Sequence, residues 1–213
     1  MPEFMNLLDQ APMGYSEGYE LQQSIHSQVA SGQRSDTVIL LQHSPVYTAG
    51  KRSERHELPT DGTEVIETNR GGKITWHGPG QLIGYPILNL PRPIDVVGYV
   101  RWLENVLIAV LSEFQIQAKT VEGRSGVWVD GPNGEEKIAA IGIRVSEKIT
   151  MHGFALNVNN SLEPYESFIP CGIEDAGVTT MAKFANKHFE LAEVAQSVMG
   201  LMGKIGENVQ PAR

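Results

Sequence analysis

The stretch 126–158, GVWVDGPNGEEKIAAIGIRVSEKITMHGFALNV, decides the fold. Gly126–Asp130 and Lys137–Val145 are apolar, β-branched runs, and the piece between them, Gly131-Pro132-Asn133-Gly134, is dense in turn formers. Two such runs across a short turn predict a hairpin and antiparallel pairing, and Ile149–Val158 is predicted to pair next. Strands that arrive as hairpins argue against an alternating βαβ chain, whose parallel pairs each need a long crossover.

Working outward, Asp95 is placed to cap a helix reaching about Phe114, with Val96, Val100, Leu103, Leu107, Val110 and Leu111 on one broad apolar face. Before it, Leu82–Leu90 reads as a strand ended by Pro91 and Pro93. Glu64–Thr68 and Lys73–Trp76 flank Asn69-Arg70-Gly71-Gly72 as two short extended pieces around a loop. Thr37–Gln42 and Val46–Thr48 read as one strand interrupted at Pro45. Ser16 is expected to cap a helix over 17–30 that ends near Gly32, and a last amphipathic helix is expected over Phe189–Met202. Met1–Phe4 reads as an expression remnant ahead of Met5 and is left out of the fold. The expectation is one α+β domain over 5–206, a mixed and mostly antiparallel sheet flanked by helices, with a frayed tail at 207–213.

Hydrophobic residues at 41% are enough for one continuous core. Seventeen basic against twenty-five acidic side chains leave a net charge of −8, which argues against nucleic acid as a partner. One cysteine cannot form an internal disulfide and suits a reducing compartment, so a cytoplasmic location is expected. The first thirty residues hold no basic segment followed by an apolar run, and no stretch of eighteen apolar residues occurs, so neither a targeting peptide nor a membrane span is expected.

Three features carry chemistry. Arg70–Gln81 (RGGKITWHGPGQ) packs five glycine or proline positions into twelve, which suits a pocket lined by bare backbone N–H groups; a tight turn with a strand bulge is the competing reading. No Gly-Lys-Ser/Thr ends the segment and no helix follows it, so nucleotide binding is disfavoured. Cys171 lies in Ile169-Pro170-Cys171-Gly172, an irregular turn that lifts the sulfur from any core strand, although a lone cysteine is commonly a small buried hydrophobe. A nucleophilic thiol needs a base or cation beside it, and His77, His152 or Lys137 qualifies. Lys137 opens an otherwise apolar strand, where burial would ease loss of its proton; after Glu135 and Glu136 a surface lysine fits equally. The six histidines show no ligand spacing, and no metal or other cofactor is expected.

The segment Arg70–Gln81, together with Lys137–Gly142, His152–Asn157 (HGFALN) and Pro170-Cys171-Gly172, resembles the lipoate-biosynthesis octanoyltransferases. The likeness runs collinearly from Gly14 to Lys183 and includes His43–Thr48 (HSPVYT). It implies the fold of the biotin and lipoate protein ligases. It also implies transfer of an octanoyl group from octanoyl-acyl carrier protein to a lysine of apo-lipoyl domains, in 2-oxoacid dehydrogenase complexes and the glycine-cleavage H protein. The route would be an acyl-cysteine thioester, in the first step of lipoate assembly. Cys171 would be acylated and Lys137 would favour its thiolate. Arg70, Gly71, Gly72, Lys73, Ile74, Thr75, Trp76 and His77 would line the substrate pocket with Ala140, Ile141, Gly142, Gly153, Phe154 and Ala155. Trp76 stands where an aromatic such as tyrosine is common in the family, and a slight reshaping of the acyl channel is expected. Acyl carrier proteins are acidic, so a basic surface of Lys51, Arg52 and Arg55 with Lys73 or Arg144 is expected to receive one. An ATP-dependent lipoate or biotin ligase, a cysteine thioesterase or a non-catalytic acyl-binding module are the alternatives.

Overall fold

The computed structural model describes residues 1–59, 63–132, 134–168 and 176–205. In chain order the elements are β1 (Glu3–Asn6), α1 (Tyr15–Ala30), β2 (Thr37–Leu41), β3 (Val46–Ala49), β4 (Val65–Glu67), β5 (Thr75–His77), β6 (Gln81–Ile87) and α2 (Val96–Glu113). After them come β7 (Lys119–Val121), β8 (Arg124–Gly131), β9 (Gly134–Ser146), β10 (Ile149–Asn157), β11 (Gly177–Val178), α3 (Met181–Ala185) and α4 (Leu191–Ile205). The main sheet has the order β1-β2-β6-β10-β9-β8-β7, and β11 pairs with β9 just beyond the end of β10. Among the described residues only its β1–β2 and β11–β9 pairings are parallel. A second sheet of order β4-β3-β5 stands beside it.

The central strands β2, β6 and β10 are buried along their whole length, which an antiparallel strand shows when both faces of its sheet are covered. One face carries α2 and α4, packing Leu103, Leu107 and Val194 against Leu40, Leu82, Ile138 and Leu156. The other carries α1, whose Ile25 and Val29 pack on Ile39, Ile83 and Ala155. The sheet therefore has two apolar faces and no alternation of polar positions in its middle.

The expected hairpins are present, with Gly131 opposite Gly134 at the β8–β9 turn and β10 antiparallel to β9; Asn133 lies outside the described residues, as does the tail at 207–213. Asp95 caps α2 by accepting the Gly98 N–H at 2.8 Å. Other boundaries differ. The stretch expected to be one interrupted strand is two strands in different sheets, because Pro45 has no N–H for a ladder and the chain crosses from one sheet to the other over residues 42–45. Helix α1 starts at Tyr15 with Gly14 in the cap position, so Ser16 lies inside its first turn. Strand β6 stops at Ile87, where the Thr150 hydroxyl and not a backbone carbonyl accepts the Leu88 N–H. Glu3 and Phe4, set aside as a remnant, form half of β1 and pair with Thr37 and Val38.

Leu103 is fully buried at the centre of the α2 face. Leu103→Ala is expected to cost about 2–5 kcal/mol, seen as a fall in Tm of about 6–15 °C in calorimetry; a shift under about 2 °C would contradict this packing.

Candidate active site

On the α1 face, β9 and β10 set small residues side by side, Ala140 opposite Ala155 and Gly142 opposite Gly153. With so little side chain above it, the sheet is the floor of a cavity of about 210 Å³. Tyr15, Tyr85, Arg70, Gly72, Lys73, Thr75, His77, Gly123–Ser125 and Lys137 line it above the floor. A Cβ on Gly142 would lie 3.0 Å from the Gly71 carbonyl oxygen and 3.2 Å from Arg70 Cδ, so glycine there lets the loop cross the strand.

The loop is tied down through its backbone. The Gly71 N–H donates to the Ile143 carbonyl at 2.8 Å. Arg70 is buried, and its guanidinium donates to the carbonyls of Gly71, Lys73 and Thr48 at 3.1, 2.8 and 2.6 Å and to the Thr48 hydroxyl at 2.9 Å. The fork that the sequence offered to a ligand thus closes the loop on β3. The expected lining residues Arg70, Gly72, Lys73, Thr75, His77, Ala140–Gly142 and Gly153–Ala155 surround the cavity, and Lys137 stands at its edge. Gly71, Ile74 and Trp76 do not line it. Alternate side chains of a strand point to opposite faces, so Thr75 and His77 face the cavity, while Ile74 and Trp76 cluster with Tyr47 and Phe168. Trp76 meets Tyr165 edge-on and has no part in shaping this cavity. Cys171 lies outside the described residues.

Three histidines are buried around the cavity with their tautomers set by neighbours. A carbonyl oxygen only accepts, so His43 carries its proton on Nδ1, which donates to Met13 O at 2.9 Å; Nε2 then accepts the Tyr85 hydroxyl at 2.7 Å. His77 Nδ1 donates to Gln81 Oε1 at 2.9 Å, and its Nε2 receives the Thr48 hydroxyl at 3.3 Å. His152 Nε2 donates to Asn69 Oδ1 at 2.7 Å, and Asn69 Nδ2 in turn donates to the Tyr19 hydroxyl. Burial pushes the His77 pKa down to about 3, helped by the nearby His43 and Arg70, and that of His152 to about 4, helped by Arg70 and Arg144. Burial lowers His43 as well. All three are neutral at pH 7.

Lys137 is 7% exposed, and its Nζ sits 4.7 Å from the centre of the Trp128 ring. Among the described residues no carboxylate meets the amine. Strand β11 runs beside it, with Val178 opposite Lys137 and the Thr179 N–H donating to the Lys137 carbonyl at 3.0 Å. Lys73 is differently engaged. It pairs with the buried Glu57 and with Glu54 at 3.3 Å, and the hydrogen bond it donates to Glu57 raises its pKa.

Residues 14–202 match the model of the lipoyl protein ligase A/B catalytic domain. An octanoyltransferase of Leifsonia xyli is 52% identical over 96% of this chain and 92% of its own length. The chain belongs to the octanoyltransferases of that catalytic-domain family. An octanoyltransferase of Mycolicibacterium smegmatis is 53% identical over 87% of this chain and 82% of its own. Among solved structures, P. falciparum LipL1 in complex with lipoate superposes with a TM-score of 0.73 at 14% identity, over all of this chain and 65% of that one. A bipartite lipoate protein ligase of Thermoplasma acidophilum gives 0.69 at 14% identity, over 97% and 85%. These two similarities establish the lipoate protein ligase fold.

Tyr15, Tyr85 and the Gly123–Ser125 turn escaped the sequence reading. The first two lie in unremarkable helix and strand contexts, while Gly123 and Gly126, two glycines around an arginine and a serine, were a usable signal of a pocket turn.

Neutral buried histidines tie stability to pH. An unfolded histidine titrates near 6.5, well above the folded values, so the unfolded chain binds more protons between these limits. Stability is fully present above about pH 6.5 and declines as pH falls toward 4. His77→Gln is expected to flatten the slope of unfolding free energy between pH 6.5 and 5 by about 1 kcal/mol per pH unit, read from urea midpoints; an unchanged slope would show that His77 titrates normally.

Proposed function

We propose that this chain transfers an octanoyl group from acyl carrier protein to a lysine of an apo-lipoyl domain, through a thioester on Cys171. The observation that carries the reading is the cavity itself: a slot floored by alanine and glycine, with a nearly buried lysine at its edge that no carboxylate among the described residues meets. A linear acyl chain fits a slot bare of side chains, and about 0.8 kcal/mol per buried methylene would anchor it. Gly177, six residues on from Cys171 in sequence, pairs with Glu136, and Val178 pairs with Lys137.

The Cys171 thiolate attacks the thioester carbonyl of the donor, its proton having passed to Lys137. The tetrahedral intermediate collapses, breaking the bond to the carrier sulfur, and the carrier thiol leaves with the proton that Lys137 returns to it. The amine of the acceptor lysine then attacks the acyl-cysteine, Lys137 takes a proton from it, and an amide and the free thiol result. A thioester donor already carries its activation, so ATP is not consumed. Acceptance of an amine by this route needs no change in the histidines: both ring nitrogens of His43 and of His77 are engaged, with Met13, Tyr85, Gln81 and Thr48, and Nε2 of His152 with Asn69.

Incubation with octanoyl-acyl carrier protein is expected to add one octanoyl group to the intact mass, and Cys171→Ala should abolish the adduct. Lys137→Arg should slow transfer to a lipoyl domain at least a hundredfold, since arginine does not shed its proton near pH 7. Absence of both adduct and transfer would refute the function, and wild-type rates for Lys137→Arg would refute the role of the lysine.

For the carrier, Lys51, Arg52 and Arg55 are exposed, and Arg52 also lines the cavity, whereas Lys73 is held by Glu54 and Glu57. The docking surface therefore rests on the first three. Arg52→Glu with Arg55→Glu is expected to raise KM for the octanoyl carrier about tenfold and to weaken its salt dependence; an unchanged salt dependence would place docking elsewhere.

A further inference from the structure

Glu104 is fully buried in α2, on the sheet face opposite the cavity, and the proposed chemistry gives it no task. A carboxylate inside an apolar layer costs several kcal/mol unless its oxygens are met. One oxygen pairs with Arg101 Nη1 at 2.6 Å, one turn back on the same helix and 43% exposed. The other reaches across to β8 and accepts the Gly126 N–H at 2.9 Å.

Gly126 directly precedes the irregular step of the β8–β9 pairing, which falls between Val127 and Trp128. Val127 stands opposite Ala139 and Trp128 opposite Lys137, so β9 accommodates one extra residue, Ile138, in the step. Gly126 takes φ +109°, which glycine tolerates and other residues rarely do. A Cβ there would lie 2.5 Å from the Ala139 carbonyl oxygen, 3.4 Å from Lys137 Cε and 3.6 Å from Lys137 Cδ. The Lys137 stem therefore runs along the bare backbone of Gly126, and its amine rests over the Trp128 ring, two residues further along the same strand. The position of the amine depends on the exact course of β8 at Gly126, and the bond from Glu104 fixes that course from the far side of the sheet.

We infer that Glu104 is a positioning residue for Lys137, acting through the Gly126 N–H to hold the trough in which the lysine lies. The inference rests on the proposed role of Lys137 and adds a group that never touches substrate. The buried carboxylate meets an N–H that has no partner in its own sheet pairing, and both of its oxygens are engaged.

The test uses the full chain. Glu104→Leu removes the acceptor but fills its volume, and replacing a buried ion pair by an apolar group commonly leaves stability intact; Glu104→Met is run beside it, and whichever folds is read. Glu104→Gln keeps an oxygen for the Gly126 N–H. Two readouts are taken: transfer kinetics, and the Hε resonance of Lys137 in lysine-selective 13C-labelled protein, assigned by its loss in Lys137→Arg. In wild type the indole face, with the Lys137 amine 4.7 Å from its centre, is expected to shift this resonance upfield. The apolar variants are expected to lose that shift and to lower kcat about 10- to 100-fold with KM changed less than twofold, and Glu104→Gln to restore both. An apolar variant that keeps the upfield shift and the wild-type kcat overturns the inference, as does Glu104→Gln behaving like the apolar variants. If Lys137→Arg itself transfers normally, the reading of Lys137 fails instead, while the resonance still decides whether Glu104 sets its position.

Discussion

A sheet covered on both faces ordinarily has no empty space, because interiors pack to crystal-like density and each void forfeits contacts. Here the register of β9 and β10 places Ala140 against Ala155 and Gly142 against Gly153, and the covering layer is held off that patch of floor. The rest of the molecule depends on this register. A slip of one residue would bring Ile141, Ile143 and Phe154 onto the α1 face and fill the slot. The bulge beside Ile138 and the left-handed His152, at φ +57°, lie at either end of the small-residue patch and bound the length of floor that keeps it.

A roof over a void must be rigid or it collapses, and the polar groups around the cavity supply that rigidity. Arg70 ties the glycine loop to β3, Thr48 carries the chain of hydrogen bonds on to His77, and Gln81 passes it to Asn157 on the floor strand. His152 ties the floor to the loop through Asn69, while its own N–H is taken by Gln22 of α1 at 2.8 Å. Burial beside a permanent cation keeps His77 and His152 neutral, and a neutral imidazole with a fixed tautomer works as a strut: His77 donates from Nδ1 and accepts at Nε2, and His152 donates from Nε2. His77 and His152, which the sequence offers beside Lys137 as partners for a thiol, are held within this network, whereas the Lys137 amine, the base of the proposed chemistry, rests over Trp128 outside it.

The hairpins of 126–158, the capped helix α2 and the α+β class were legible because they follow from local rules: turn formers, period-two or period-3.6 apolarity, and an N-cap. The glycine segment was legible as a pocket element, but the division of labour within it was not. Whether Trp76 or His77 faces the slot is a question of strand parity fixed by the partner β3, far away in sequence. The use of Arg70 was hidden for the same reason, since its acceptors come from residue 48 as much as from its own loop. Strands β1, β7 and β11 escaped notice because they are too short to show periodicity and exist only by pairing with longer neighbours. Lys137 could not be told from a surface lysine after two glutamates until Trp128 was seen opposite it.

The same register also sets a direction. Lys137 lies at one end of the floor, and the loop crosses β9 at Gly142 and bonds to Ile143 at the other, five to six residues away or about 16–20 Å at the rise of a strand. On the proposed chemistry the acyl carbonyl belongs at the Lys137 end, where the bond to sulfur is made and broken, and the hydrocarbon tail points toward the crossing. The stop at the far end is then backbone and guanidinium, tied by four hydrogen bonds from Arg70, and not a side chain free to change rotamer. A gauge of that kind is stiffer than an apolar plug, because lengthening the slot would require breaking buried hydrogen bonds to an arginine and not merely turning a methyl group aside.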